Sequence, residues 1–141
     1  MNTGIVSMIL CSLLTLQVMG EDASKKHPID VQLEKAEEKA LSTADQTQTQ
    51  ANGLKLWDAE MNRIYAKLRK QLKPAAANAL QAAQREWLKY RDSQTKFLEE
   101  MYQGFEGTMF IPMHAAAVKE VTRTRALELT RLLEAQEEFG E

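Results

Sequence analysis

The chain has 141 residues, with 18 basic and 20 acidic side chains and a formal net charge of −2. This length suits one domain, and the balanced charge excludes the one-sided basic surface that is typical of nucleic-acid binders. Apolar residues make up 44% of the chain, whereas glycines and prolines are few and aromatic residues amount to only 6%. Because strands favour aromatic residues, this composition predicts a small all-α protein that does not bind nucleic acid.

The first 20 residues predict a signal peptide. Residues 1–20 contain no charged side chain, end in the small Gly20, and are followed by a polar segment over 21–29. Their apolar run is too short to span a bilayer. A retained anchor is the alternative, because no Lys or Arg precedes the run. Cys11 follows Leu10, where a lipoprotein signal favours a small residue, so we expect no lipid anchor.

Removal of this leader would leave a mature chain without cysteine, since Cys11 is the only one. Such a chain has neither disulfides nor thiolate metal ligands, and its stability depends on helix packing. We expect a periplasmic or secreted protein with no stable membrane insertion once the leader is removed.

The domain predicted over residues 30–137 begins with a short helix. Asp30 is suited to cap a helix over 31–41. Residues 44–53 are polar and indicate a weak helix or an ordered connection. From Leu54 onward, apolar residues recur at steps of three and four, which predicts a long helix that ends before Pro74. This stripe comprises Leu54, Trp57, Met61, Ile64 or Tyr65, Leu68 and Leu72.

A second long helix is predicted over residues 74–103. Pro74 suits a first helical turn, and Gly104 suits a helix end. At 1.5 Å per residue this helix is about 45 Å long, so it needs partners to bury its stripe. We expect the three long helices to clasp Trp87 between them. The predicted stripe comprises Leu80, Ala83, Trp87, Tyr90, Gln94, Phe97 and Met101, with Gln94 as a polar break.

Residues 103–113 break the helical pattern because they contain two glycines and Pro112. They are interpreted as a loop folded over the end of the bundle or, alternatively, as an exposed contact surface. A last helix is predicted over 114–137, and residues 138–141 are expected to fray. The fold class is therefore all-α, an antiparallel bundle of three long helices plus a short N-terminal helix.

The sequence offers no pattern of catalytic residues. His27 and His114 lie far apart and have no Cys or His at ligand spacing, so we expect no metal and no cofactor. Glycine-rich phosphate loops, GxSxG elbows and HExxH helices do not occur in the sequence. The many carboxylates are interpreted mainly as solvated helix faces. We therefore expect a protein that is not an enzyme.

One group of residues combines aromatic and charged side chains, namely Arg85, Trp87, Tyr90, Arg91 and Asp92. Trp87 and Arg91 are four residues apart and can share a helix face. Asp58, Glu60 and Glu128 are candidate acceptors for Arg91. The group is interpreted either as a structural ion pair that sets helix register or as a recognition patch. Under the first interpretation, Arg91→Ala lowers the melting temperature by several degrees.

Residues 83–92, AQREWLKYRD, resemble the AQRxWxxYRD signature of the LprI-type lysozyme-inhibitor domain, a family of small exported bacterial helical proteins. Residues 57–68 and 122–132 resemble two further patterns of that family, D-x-E-hydrophobic-N-x-x-Y-x-x-L and T-x-x-R-x-x-x-L-x-x-L. HPID at 27–30 and STA at 42–44 resemble marks of one branch. We assign structural roles to the motif residues Asp58, Glu60, Asn62, Tyr65, Arg85, Trp87, Tyr90, Arg91, Asp92, Thr122 and Arg125.

The resemblance implies a protein that binds a lysozyme and blocks its cleft by protein–protein contact. We expect the contact residues in the loop after the second long helix, namely Phe105, Glu106, Met109 and Phe110. Alternatively, acidic surface from Glu99, Glu100 and Glu106 complements a basic lysozyme. The competing hypothesis is a non-inhibitory interaction or stress module of the cell envelope with an unknown partner.

The chain departs from the resembled family in its first segment. Related sequences usually carry a cysteine pair near the positions of Ala36 and Thr49, and both positions lack sulfur here. Such a disulfide contributes roughly 3 kcal/mol in the chain-entropy model. Its absence predicts a looser N-terminal segment.

Overall fold

The computed structural model describes residues 26–140, which form four helices and no strand. They are α1 (Pro28–Glu37), α2 (Thr43–Gln71), α3 (Pro74–Gln103) and α4 (Phe110–Phe139). The prediction of three long helices plus a short one is confirmed. None of the helices in this part of the chain is long and apolar enough to cross a membrane. The predicted signal peptide lies outside the described residues.

Two helix starts differ from the sequence prediction, each for a local reason. α2 begins at Thr43 because Ser42 and Asp45 form a reciprocal capping box, so the polar residues 44–53 are helical. α4 begins at Phe110 and contains Pro112 in its first turn. Proline is tolerated there because the first N–H groups of a helix have no intrahelical acceptor.

α2 and α4 form the main interface of the fold. The core consists chiefly of side chains from these two helices, with Leu33 contributed by α1. Trp57 is fully buried at its centre, whereas Trp87 is only half-buried. Trp87 packs against this core, but the tryptophan that the helices enclose completely is Trp57. The core cluster comprises Leu33, Trp57, Met61, Ile64, Leu68, Ala126, Leu129 and Leu133.

α3 lies against the α2–α4 pair and buries only Gln84 and Leu98. The face of α3 that packs against the bundle is not the one predicted. It contains Gln84, Trp87, Arg91 and Leu98, and it is offset from the predicted stripe by about one residue along the sequence. Tyr90 and Phe97 from the predicted stripe are consequently exposed, by 55% and 56%. The prediction differs from the structure because the polar Gln84 faces inward, whereas the apolar pattern favoured its neighbour Ala83.

α1 is attached to the bundle by one apolar and one ionic contact. Leu33 enters the core, and Asp30 accepts two hydrogen bonds from Arg123 of α4, at 2.9 and 2.8 Å. The hydrogen bond to Asp30 raises the pKa of Arg123 above its usual range. Gly53 of α2 allows the close approach, because a Cβ there would lie 2.9 Å from Leu33 Cδ1 and 2.8 Å from Lys119 Cδ.

Candidate binding surfaces

The signature residues of α3 and α4 meet around the half-buried Trp87. The guanidinium carbons of Arg91 and Arg125 lie 5.6 and 5.9 Å from its ring centroid. This distance is within the range of a cation–π contact. The two motif segments at 83–92 and 122–132 are therefore brought together in the fold.

Arg125 is the more buried of the two arginines and forms a polar link between helices. Its Nε donates to Gln84 Oε1 at 3.0 Å, and its Nη1 donates to Glu128 Oε2 at 2.8 Å. Gln84 in turn donates to Met61 Sδ at 3.7 Å. This network connects all three long helices, and Gln84 was not among the residues predicted to matter. The only signal for it was its position inside the AQRxWxxYRD run.

Arg91 makes weaker and more exposed contacts. Its Nε and Nη2 donate to Asp92 Oδ1 at 3.2 and 3.1 Å, and its Nη1 lies 3.6 Å from Asp58 Oδ1. Asp58 was one of the three candidate acceptors. The Arg91 side chain is 31% exposed and that of Asp92 is 72% exposed. An ion pair this exposed contributes little to stability.

The remaining motif residues occupy different environments. Asn62 donates to Asp58 Oδ2 at 3.1 Å, and the half-buried Tyr65 packs against the core. Thr122 is buried, whereas Tyr90 and Arg85 are exposed. The motif residues therefore do not form one site.

Glu60 connects α2 to the start of α1. It accepts two hydrogen bonds from Arg63, at 2.8 and 2.7 Å, and lies 3.6 Å from His27 Nε2. The hydrogen bond from Arg63 lowers the pKa of the Glu60 carboxyl below its usual value. His27 also caps α1 through Nδ1, and its ring lies against that of Trp57 in a tilted contact, with the ring centroids 4.6 Å apart. The HPID mark thus has a structural role here.

A groove of about 780 Å³ opens between α2 and α3, with α4 below it. Its size lies within the range of small-ligand sites. Motif residues from all three helices reach it, namely Asp58, Arg91, Asp92 and Thr122. The other lining residues are Leu54, Lys55, Ala59, Thr95, Lys96, Glu99 and Val118.

The predicted contact loop lies at the end of the bundle between α3 and α4. Aromatic rings support it, since Phe105 lies 5.4 Å from Tyr102 and 5.0 Å from Phe110, measured between ring centroids. Gly107 has a φ of +111°, a conformation that favours glycine. Phe110 is the first residue of α4 and is half-buried, and its contact with Phe105 fixes the loop against the helix.

Several large apolar side chains remain exposed around this loop. Phe105 is 46% exposed and Met109 62%, and Glu106 beside them is exposed as well. Exposed apolar neighbours extend the surface along both helices, namely Phe97, Met101, Ile111 and Met113. We refer to this set, together with Phe105 and Met109, as the tip surface. Apolar patches of this kind mark interaction sites.

Three acidic residues lie in the segment that carries the tip surface, and Lys96 borders it in sequence next to Phe97. Residues 97–118 contain Glu99, Glu100 and Glu106 but no Lys or Arg. All three carboxylates are exposed. This surface therefore combines exposed apolar side chains with exposed carboxylates.

Within residues 26–140, no three His, Cys, Asp or Glu side chains are placed to hold a metal ion. The fold and its surfaces define a small helical bundle with an apolar, acidic tip and an open groove. The family described as "Lysozyme inhibitor LprI" matches residues 32–129. The chain belongs to this LprI family. No curated protein and no solved structure gives a significant match to it.

Proposed function

We propose that this protein is an exported, non-catalytic inhibitor that binds a lysozyme through its tip surface. The family match over residues 32–129 is the observation that carries this proposal. The exposure of Phe105 and Met109 beside three acidic side chains supports the location. Many lysozymes are basic, and their cleft contains two catalytic carboxylates that a bound protein can cover.

The direct test is lysis of bacterial cell-wall suspensions by several types of lysozyme. Purified mature protein in molar excess is expected to slow lysis by at least one of them. Lysis at the uninhibited rate with every lysozyme would contradict the proposed function.

The tip surface is tested with a paired set of variants. Phe105→Ala combined with Met109→Ala is expected to weaken inhibition at least tenfold, because exposed aromatic anchors dominate interface energies. The matched control is Phe139→Ala, which removes a 75% exposed phenylalanine at the other end of α4. Equal inhibition by both proteins would place the contact elsewhere while leaving the function intact.

The groove between α2 and α3 favours a second candidate, a non-inhibitory envelope module that binds another partner. Pull-down from envelope extract separates the two functions when residues 104–113 are replaced by a Gly/Ser linker. Loss of the captured protein on replacement supports the tip surface. Capture that persists, with unchanged lysis, supports the second candidate.

A further inference from the structure

The α2–α3 groove contains two lysines without an acidic partner. Lys55 stands on the α2 wall and Lys96 on the α3 wall. Within residues 26–140, neither amine lies within 4.0 Å of a carboxylate oxygen. Both side chains are exposed and are available to an anion in the groove.

The carboxylates that line the groove leave this lysine pair accessible. Asp58 and Asp92 flank the guanidinium of Arg91, at 3.6 and 3.1 Å. Glu99 lies three residues beyond Lys96 on α3. Because helices α2 and α3 are antiparallel and Asp58 is level with Arg91, Lys55 is level with the turn that contains Lys96. Lys55 and Lys96 therefore face the same stretch of the groove, with Asp58, Arg91 and Asp92 toward one end and Glu99 toward the other.

The interior of the groove is mainly apolar, with Leu54, Ala59 and Val118 among its lining residues. All of its walls are helices, whose main-chain N–H and C=O groups are already paired. An extended peptide placed there would leave the main-chain groups that face the walls without partners, at a cost of several kcal/mol. A hydrocarbon chain has no such groups and can occupy the groove without this cost.

We propose that the groove binds a free single-chain amphiphile with an anionic head, such as a fatty-acid anion. The acyl chain lies on the apolar floor, and the head is held between Lys55 and Lys96, near the hydroxyl groups of Thr95 and Thr122. The site adjoins the tip surface at Lys96 and Glu99, and it is tested without any lysozyme.

The test is calorimetric titration of the full mature chain with dodecanoate below its micelle concentration. We expect one bound molecule per chain, and about tenfold weaker binding of dodecyltrimethylammonium, which has the same chain and the opposite charge. The variant with both Lys55→Gln and Lys96→Gln is expected to lose this preference, because two exposed ion pairs together contribute about a factor of ten. Lys89→Gln, on the same helix but outside the groove, is the matched control and is expected to bind like the unaltered chain.

A second variant tests the floor of the groove. Ala59 is exposed, so Ala59→Phe should fold normally and fill the space, abolishing the binding of both amphiphiles. Failure of the unaltered chain to bind dodecanoate would overturn the proposal, as would a head-group preference that survives loss of both lysines. Flotation with phosphatidylglycerol vesicles is expected to leave the protein unbound. Lysine-dependent flotation would instead assign the site to a membrane surface.

Discussion

Trp87 lies within 6 Å of two guanidinium groups whose surroundings differ. Arg125 is 8% exposed and donates to the buried Gln84, whereas Arg91 donates to a largely exposed aspartate. In sequence, Arg91 belongs to the AQRxWxxYRD run and Arg125 to the T-x-x-R pattern, and neither pattern indicates which arginine is buried. Only the packing of α3 on α4 determines which of them is buried, so sequence reasoning placed the structural ion pair at Arg91.

We predict that Arg125→Ala destabilises the fold by about 2–3 kcal/mol, because it leaves the Gln84 carbonyl buried without a donor. Arg91→Ala is expected to cost about 1 kcal/mol or less, since its ion pairs are exposed. The free energies of unfolding are measured by urea denaturation followed by circular dichroism. Equal losses for the two variants would contradict the assigned difference in burial.

Glu60 gives the fold a defined response to acid. Because the folded-state pKa of Glu60 is lowered by the hydrogen bond from Arg63, the carboxylate stabilises the fold above its ordinary value of 4.5. This contribution is lost as the pH falls through the lowered folded-state pKa. Glu60→Gln is therefore expected to be less stable than the unaltered chain near neutral pH, with the difference disappearing below pH 4.5.

The measurement is urea denaturation of both proteins across the acidic range. Glu86→Gln is a suitable control, because Glu86 forms an exposed pair with Lys89 on the same bundle. A stability difference for Glu60→Gln that stays constant across this range would show that the carboxylate acts by packing alone.

At the scale of the helices, three of them pack closely together at Gly53. Gly53 lies in the middle of α2 and faces Leu33 of α1 and Lys119 of α4. In sequence, this glycine and the polar residues around it indicated a weak helix or a connection. The close approach of two neighbouring helices explains why glycine is suited to a helix interior here, and no local pattern encodes that approach.

We predict that Gly53→Val destabilises the protein by about 1–3 kcal/mol, because the added methyl groups overlap with the buried Leu33. Asn52→Val is the matched control on the exposed side of the same turn and is expected to change stability by less than about 0.5 kcal/mol. Thermal unfolding of both variants checks the difference. An equal decrease would show that the loss does not come from contact with α1, since valine has a better helix propensity than glycine.

The helical class, the four helices and the tight connection at Pro74 follow from the sequence, because apolar periodicity and proline act locally. The face that α3 buries does not follow, because it depends on a buried glutamine paired with an arginine 41 residues away. The tip surface was predicted in its loop residues Phe105 and Met109. Its extension through Phe97 was missed, because Phe97 was assigned to the core.

At the scale of the whole molecule, the fold consists of a well-packed α2–α4 pair and a less buried α3. α2 buries five residues and α4 buries five, whereas α3, which is as long as α4, buries two. The part of the molecule that carries one wall of the groove and one half of the tip surface is therefore the part with the fewest core contacts. Regions with few buried contacts open at lower free energy.

We predict that hydrogen exchange is fastest in α3 among the three long helices. Amides in the middle of α2 and α4 are expected to exchange only through global unfolding, and those of α3 through local opening. Exchange followed by mass spectrometry of peptides tests this order, and the exchange of α1 tests the looser N-terminal segment predicted from the missing cysteine pair. Equal protection of α3 and α4 would contradict the prediction.

The two tryptophans of the chain differ in burial. The fluorescence of each therefore reports on a different part of the molecule, that of Trp57 on the α2–α4 pair and that of Trp87 on α3. Emission from the fully enclosed Trp57 should be blue-shifted and should change only when the α2–α4 pair comes apart. Trp87, which belongs to the less buried α3 and lies near two guanidinium groups, should respond earlier. A Trp57→Phe chain thus allows movements of α3 to be followed by fluorescence without any attached dye.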